Sequence, residues 1–299
     1  MRRVAARARS WSLEVRERLR ARRRHRRSCG SAVTDRLRFE NTGLLRLVTY
    51  NIHRAIGVDR RFRPERIALL LAEHDADIVL LQEVDEGVPR SRELHLAREL
   101  AEALDYPYLS VGHNVRVRAG GRYGNATISR FPIVEDSNID LTIGRRKRRG
   151  CQRTRIVLPG EGGPIEVFNM HLGLSARERL RQIDLLAAAP EFATVDPEVP
   201  CLAAGDFNDW RSLLRPVFTE RLGFSCASDR RTTAGPRAMK TYPSFSPRGG
   251  LDKIYFRGAM ELHSIFPCRH QVARVASDHL PLVVEFHLAR EGQNGASTL

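Results

Sequence analysis

The sequence has no apolar run near the roughly 20 residues of a membrane-spanning helix. Its Arg-rich start lacks both an apolar h-region and a small-residue cleavage site, so no secretory signal is expected. Cysteine is sparse: five residues in 299, at 29, 151, 201, 226 and 268, with no Cys-x-x-Cys. An odd, scattered set excludes a disulfide framework and a cysteine zinc site, and it predicts a reducing compartment. The expected location is cytoplasmic, at most peripheral at the inner membrane surface. Acidic residues are the scarcer charge, 35 against 50 Lys and Arg.

That imbalance is concentrated. Residues 1–44 hold fourteen Arg against Glu14, Glu17, Asp35 and Glu40, so a net +10 of the chain's +15 lies there. The high isoelectric point therefore describes mainly an extension and says little about nucleic-acid binding by the rest. Residues 1–43 are predicted to be a basic, disordered extension. Val4, Trp11, Val15 and Leu19 offer the alternative of an amphipathic helix lying on anionic lipid or a polyphosphate.

From Leu44 the patterning changes to that of a folded α/β domain, expected over 44–289 and followed by a flexible tail, 290–299. Leu45–Tyr50 alternates as a strand. Pro64 opens a helix with Ile67, Leu70 and Leu71 on one face. Residues 78–82 form a strand ending on Glu83, and 91–104 read as helix. Further strands are expected at 107–111, 124–129, 153–158, 165–170, 200–204, 252–256, 260–266 and 281–287. Ser175 and Glu178 have capping-box spacing for a helix reaching about Ala188. Residues 225–250 read as loop, and Asp209 as a helix cap for a segment from Trp210.

Polar residues recur where strands end. Asn51 and His53 follow the first strand, Glu83 the second, and Asn169 and His171 close Phe-Asn-Met-His. Asp206 and Asn208 follow Pro-Cys-Leu-Ala-Ala-Gly, Asp252 starts Leu-Asp-Lys-Ile-Tyr-Phe, and Asp278-His279 precede the last strand. Side chains two apart on a strand share a face, so Asp206 and Asn208 can reach one point. Acids suit a hard metal, amides a phosphate, and histidines proton transfer. Oxygen ligands without clustered cysteine point to Mg²⁺ or Mn²⁺.

The series Thr-Tyr-Asn-Ile-His, Leu-Gln-Glu-Val-Asp, Tyr-Gly-Asn-Ala-Thr-Ile-Ser-Arg-Phe-Pro-Ile, Asn-Met-His-Leu-Gly, Ala-Gly-Asp-Phe-Asn-Asp-Trp, Leu-Asp-Lys-Ile-Tyr and Ser-Asp-His-Leu-Pro-Leu resembles the endonuclease/exonuclease/phosphatase superfamily, in that family's order. It looks most like an uncharacterised bacterial branch similar to the hydrolase domain of GPI-anchor remodelling proteins. The resemblance implies a four-layer α/β/β/α sandwich, two packed, mostly antiparallel sheets flanked by helices. It also implies a set of roles. Glu83 is the principal metal ligand, supported by Asn51 and, on the metal side, Asp278, with His53 behind them. His279 stands beside the scissile phosphate, oriented by Asp252. Asp206 aligns or deprotonates water, and His171 is a candidate acid for the leaving oxygen. Asn208, Asn169 and Arg130 contact phosphate.

Arg54, Arg60, Arg61 and Arg149 are further candidates for anionic substrate, although the run Arg145–Arg149 reads as a solvated loop. The expected function is a divalent-metal-dependent phosphodiesterase, a monomer, acting on a phospholipid or small phosphodiester. A DNA or RNA nuclease using the basic extension is the alternative. A catalytically inactive phosphate-binding module is disfavoured by the complete set of acids and histidines.

Overall fold

The computed structural model describes residues 11, 13, 15, 17, 39, 42–233 and 235–288. Its strands are, in chain order, β1 (Leu44–Asn51), β2 (Ile78–Glu86), β3 (Tyr108–Arg116), β4 (Arg122–Ser129), β5 (Ile133–Asp140), β6 (Gly150–Val157), β7 (Pro164–His171), β8 (Cys201–Asp206), β9 (Ser225–Cys226), β10 (Asp229–Thr232), β11 (Gly235–Ala238), β12 (Asp252–Arg257), β13 (Met260–Pro267) and β14 (Leu282–Leu288). The main helices are α1 (Pro64–His74), α2 (Leu96–Leu104) and α3 (Ala176–Ala188).

Two six-stranded sheets result, ordered β13-β14-β1-β2-β4-β3 and β5-β6-β7-β8-β12-β9, with β10 and β11 as a separate ribbon. Among the described residues, only β1–β2 and β7–β8 pair in parallel. These pairs need crossovers, which α1 and α3 supply. The central strands are covered on both faces, so their sequences are almost continuously apolar. Leu45, Leu47, Ile78 and Leu80 of the first sheet face Val167, Leu202, Ala204 and Ile254 of the second. On the opposite faces, Val48, Tyr50, Val79 and Leu81 pack under α1 and α2, while Phe168, Met170, Ala203 and Tyr255 pack under α3. Each such Val, Leu or Ile contributes about 1.5–3 kcal/mol by burial. The result is the four-layer α/β/β/α sandwich that the family resemblance implies.

Several elements differ from expectation. β5 reads as loop in sequence because it is an edge strand whose only buried residue is Ile139. Within 225–250, short strands β9, β10 and β11 form. α2 begins at Leu96, preceded by a one-turn 3₁₀ segment, Pro89–Ser91. Asp209 caps no helix from Trp210: its Oδ2 accepts from Leu214 N at 2.8 Å, closing a turn. Ser175 does cap α3, accepting from Glu178 N at 3.2 Å.

Residues of the N-terminal extension pack on the domain. Trp11, Leu13, Val15 and Glu17 are helical; Val15 is buried and Trp11 packs beside it against the α1–α2 core. Phe39 is buried against Phe131, ring centroids 5.8 Å apart. Of the apolar face that the alternative reading offers to lipid or polyphosphate, Trp11 and Val15 meet protein. Val4, Leu19 and the tail beyond Leu288 lie outside the described residues. Among the described residues, no helix is long and apolar enough to cross a membrane.

Candidate active site

The two parallel pairs bring the ends of β1, β2, β7 and β8 to one edge of the sandwich. In the second sheet, Asp206 sits in register between His171 of β7 and Asp252 of β12. In the first sheet, Asn51 is opposite Gln82, one residue before Glu83. The sheets meet at this edge: Asn51 Nδ2 donates to Asp206 Oδ2 at 3.0 Å, and His279 Nδ1 lies 2.9 Å from Asp252 Oδ2.

The backbone is strained where the strands run out. His53, Arg54, Ala55, Glu83 and Asn208 all have φ between 44° and 60°. Non-glycine residues hold this left-handed conformation only when their surroundings enforce it. The turn through His53–Ala55 brings Arg54 Nε to 3.3 Å from Glu83 Oε2. Asn208 N returns to Asp206 Oδ1 at 2.9 Å, and its side chain donates to Leu172 O at 3.0 Å. Gly205 has φ 136°, and a Cβ there would lie 2.0 Å from Met170 O. Only glycine lets β8 approach β7 closely enough to place Asp206 beside His171.

Asp206, Asp252 and His279 offer ligand atoms within 4.8 Å of one another. Their geometry is that of a proton network. Burial tends to lower the His279 pKa, but the Asp252 and Asp206 carboxylates outweigh it and push it up to about 10. His279 is therefore a cation whose Nε2 faces Asp206 Oδ2 at 3.7 Å. The Asp206 carboxyl is itself pushed up to about 6, first by burial and then by Asp252, against the His279 charge and its hydrogen bonds. Thr241 Oγ1 donates to Asp252 Oδ2, and the Tyr242 ring lies 5.0 Å from that of His279.

His171 Nε2 lies 3.3 Å from Asp206 Oδ2. Burial, then Arg149, Lys147 and His279, hold its pKa well below the usual histidine value. It is neutral, which suits a hydrogen-bonding role.

Glu83 is shared among basic and phenolic neighbours. Tyr123 hydrogen-bonds its carboxylate, and Lys147 Nζ stands 3.4 Å from the Tyr123 hydroxyl and 5.0 Å from its ring centroid. Glu83 Oε2 is nevertheless buried without a hydrogen bond, as is Asp252 Oδ1. Buried carboxylate oxygens with unused lone pairs, and amides rather than thiolates around them, fit a hard divalent cation. Glu83 and Asn51 are the residues placed to hold one.

Three sequence expectations need revision: those for Asn169, for Arg130 and for the solvated basic run. Asn169 is wholly internal: it accepts from Gln82 Nε2 at 2.8 Å and donates to Ala126 O at 3.0 Å and Leu81 O at 3.2 Å, so it ties the sheets together beneath the site. Arg130 follows β4 at the opposite edge, paired with Asp75 and Asp77 and lying over Tyr106. Neither can reach a phosphate at Asp206. Asp278 and His53 are neighbours, His53 Nδ1 being 3.9 Å from Asp278 Oδ1. They sit at the rim, half-exposed, and His53 Nδ1 is also 3.0 Å from Ile56 O. The basic run is not wholly solvated: Arg149 is 5% exposed and its Nε has no hydrogen bond. Among the described residues, no carboxylate pairs with it.

Tyr123 and Thr241 carry no sequence signal beyond lying in or near a motif. Only folding shows them touching Glu83 and Asp252. A recess of about 720 Å³ is lined by His113, Asn114, Val115, Arg116, Arg122 and Arg148, none of which belongs to the network above.

The endonuclease/exonuclease/phosphatase family profile matches residues 48–279. Uncharacterized protein YbhP of Escherichia coli K12 is 34% identical over 254 residues, covering 81% of this chain and 96% of its own. The human Nocturnin catalytic domain, solved with a bound sulfate anion, superposes with TM-score 0.65 at 22% identity, covering 83% of this chain and 96% of that one. A mannosyl-6-phosphatase of Bacteroides thetaiotaomicron superposes with TM-score 0.60 at 20% identity, covering 81% and 99%.

Proposed function

The chain belongs to the endonuclease/exonuclease/phosphatase family, whose members hydrolyse phosphoester bonds, and on that premise we propose a divalent-metal-dependent phosphodiesterase acting on a phospholipid or small phosphodiester. The observation that carries the reading is the bridge between sheets, in which Asp252 orients a cationic His279 beside the buried Asp206.

The chain's own groups divide the work. Asp206, a base with a raised pKa, takes the proton of the attacking water as its oxygen bonds to phosphorus; the bond to the departing oxygen breaks on the opposite side of phosphorus, and that oxygen takes its proton from solvent. His279 donates a hydrogen bond to a phosphate oxygen and offsets its charge, held in orientation by Asp252. The second N–H of the Asn208 amide, not used on Leu172 O, is available to the phosphate, and the one N–H of neutral His171 is shared between Asp206 and the phosphate. Arg149 supplies an uncompensated cation at the same place. Glu83 and Asn51 would hold Mg²⁺ or Mn²⁺, which when bound neutralises phosphate charge and stabilises the departing oxygen.

The nuclease alternative has less support. No alternation of aromatic and basic side chains marks a strand-tracking groove in the folded part. Purified protein with Mg²⁺ or Mn²⁺ should cleave bis-p-nitrophenyl phosphate and a phospholipid in vesicles faster than plasmid DNA or RNA. EDTA should abolish the activity. Cleavage of none of these substrates with either metal defeats the hydrolase reading, and preferential cleavage of nucleic acid selects the alternative.

A further inference from the structure

Most exposed large apolar side chains on this molecule are scattered, but four stand on the turns that leave the catalytic strand ends. Leu174 follows β7 and is 78% exposed; Trp210 and Leu213 follow β8 and are 54% and 48% exposed. Phe245, 62% exposed, tips the 242–249 turn, which is tied to the His279 segment by Ser244 N donating to Asp278 O at 2.7 Å.

These turns form one continuous rim. Arg179, buried beneath them, donates to Leu174 O at 2.7 Å and reaches Asp209 Oδ1 at 3.4 Å, so it fixes the first two turns together. Trp210 stacks edge-on against Tyr242, ring centroids 5.5 Å apart, and lies against Gly249, which joins the second turn to the third. The rim is held open by buried polar contacts, so its exposed side chains are not the loose ends of mobile segments.

The exposed charge on these turns is basic, with Asp278 half-exposed beside them. Arg211 and Arg248 are exposed within it, and Arg145 and Arg148 stand exposed on the loop between β5 and β6. Residues 172–175, 210–213, 244–250 and 144–149 contain no acidic residue. Apolar side chains with a mainly basic surround match the chemistry of an anionic bilayer surface, where the apolar groups enter the acyl boundary and arginines meet headgroups. Two of the four apolar residues are leucines. Nucleobase stacking would favour aromatic side chains at every position.

We propose that the catalytic edge docks on an anionic lipid surface through Leu174, Trp210, Leu213 and Phe245, with Arg211 and Arg248 beside them, and meets its phosphodiester there. The inference builds on the phosphodiesterase reading and names where its substrate lies. Docking in this orientation points Asp206 and His279 at the headgroup layer, and a lipid phosphodiester reaches them without leaving the bilayer.

The test uses the full chain carrying Trp11→Phe, so that Trp210 is the only tryptophan. Vesicles of phosphatidylcholine with phosphatidylglycerol, their acyl chains brominated, should quench Trp210, whereas brominated phosphatidylcholine alone should quench it far less. Leu174→Ser with Phe245→Ser should weaken vesicle co-sedimentation about tenfold, the order expected for removing two interfacial apolar anchors. The same pair should leave hydrolysis of soluble bis-p-nitrophenyl phosphate unchanged. Arg211→Gln with Arg248→Gln should remove the preference for anionic vesicles. An unquenched Trp210 on anionic vesicles overturns the proposal, because an extension binding alone leaves the rim in water. So does a double apolar variant that loses oligonucleotide binding but not vesicle binding. Docking is read without turnover. Quenching in a protein that cleaves no phosphoester leaves the surface standing and defeats the hydrolase reading; cleavage without quenching does the reverse.

Discussion

His279 Nδ1 and Asp252 Oδ2 lie 2.9 Å apart, and their contact joins two different sheets: His279 precedes β14 in the first, and Asp252 opens β12 in the second. The proton chemistry of the site therefore depends on how the sheets pack. Sheet packing also seals the pair from water; that burial works against the imidazolium, and the Asp252 and Asp206 carboxylates outweigh it and keep the ring charged.

Asp252→Asn keeps the shape and removes the charge that raises the His279 pKa. Activity on bis-p-nitrophenyl phosphate should fall about 10²–10⁴-fold, the range for losing positioned acid–base catalysis. His279→Ala should fall as far, and the double variant little further, because the two act as a unit. Steady-state rates at saturating metal measure this; additive losses would separate the two roles.

Arg149→Gln should raise stability and lower activity together. A buried guanidinium without a counter-anion costs the empty fold, and substrate phosphate compensates it. KM for a phosphodiester should rise about tenfold, the ratio that one lost charge-assisted hydrogen bond gives. Thermal melting should move upward in the same variant. A large fall in melting temperature with KM unchanged would mark Arg149 as structural.

Gly205→Ala should destabilise the chain by about 2 kcal/mol or more, since the added Cβ meets backbone and the residue must keep a positive φ. The clash falls on Met170 O, one residue before His171. Urea unfolding gives the stability change, and the surviving folded protein should show a lowered kcat because β8 is displaced against β7.

The metal-free protein should lose stability as pH falls below about 6.5, the ordinary histidine value. His171 is held well below that value when folded. Between the two pKa values the unfolded chain binds a proton that the folded chain does not, so stability rises with pH across that window and falls on acidification. The slope contributed is up to about 1.4 kcal/mol per pH unit. Asp206 acts with the opposite sign. Its folded pKa is raised to about 6, so it favours the folded state on acidification through that value. Comparing wild type with His171→Gln across the same buffers isolates the histidine: the variant's curve should be flatter below 6.5. Identical curves would mean that His171 takes up its proton in the folded state.

Strand ends were legible because alternation and apolar runs are local. Leu45–Tyr50, Ile78–Gln82 and Cys201–Gly205 declare buried strands, and the polar residues that follow them must stand at an edge. The series Glu83, Asn51, Asp206, Asn208, Asp252 and His279 could thus be written down from sequence, with the family resemblance supplying their roles. β5 was not legible, because an edge strand need bury only one side chain and so carries little periodicity.

What sequence alone determined is the set of chemical groups and the strand ends that carry them. Tertiary structure decided which groups meet. Asn169 and His171 are two apart on one strand, yet Asn169 is spent on Gln82, Leu81 and Ala126 while His171 faces Asp206. Arg130 and Arg149 look alike in sequence. One closes the far edge against Asp75 and Asp77, and the other is buried without a carboxylate partner among the described residues, near His171. Period two fixes the face on which a side chain emerges; what covers that face depends on a second sheet distant in the chain, and only packing brings it there.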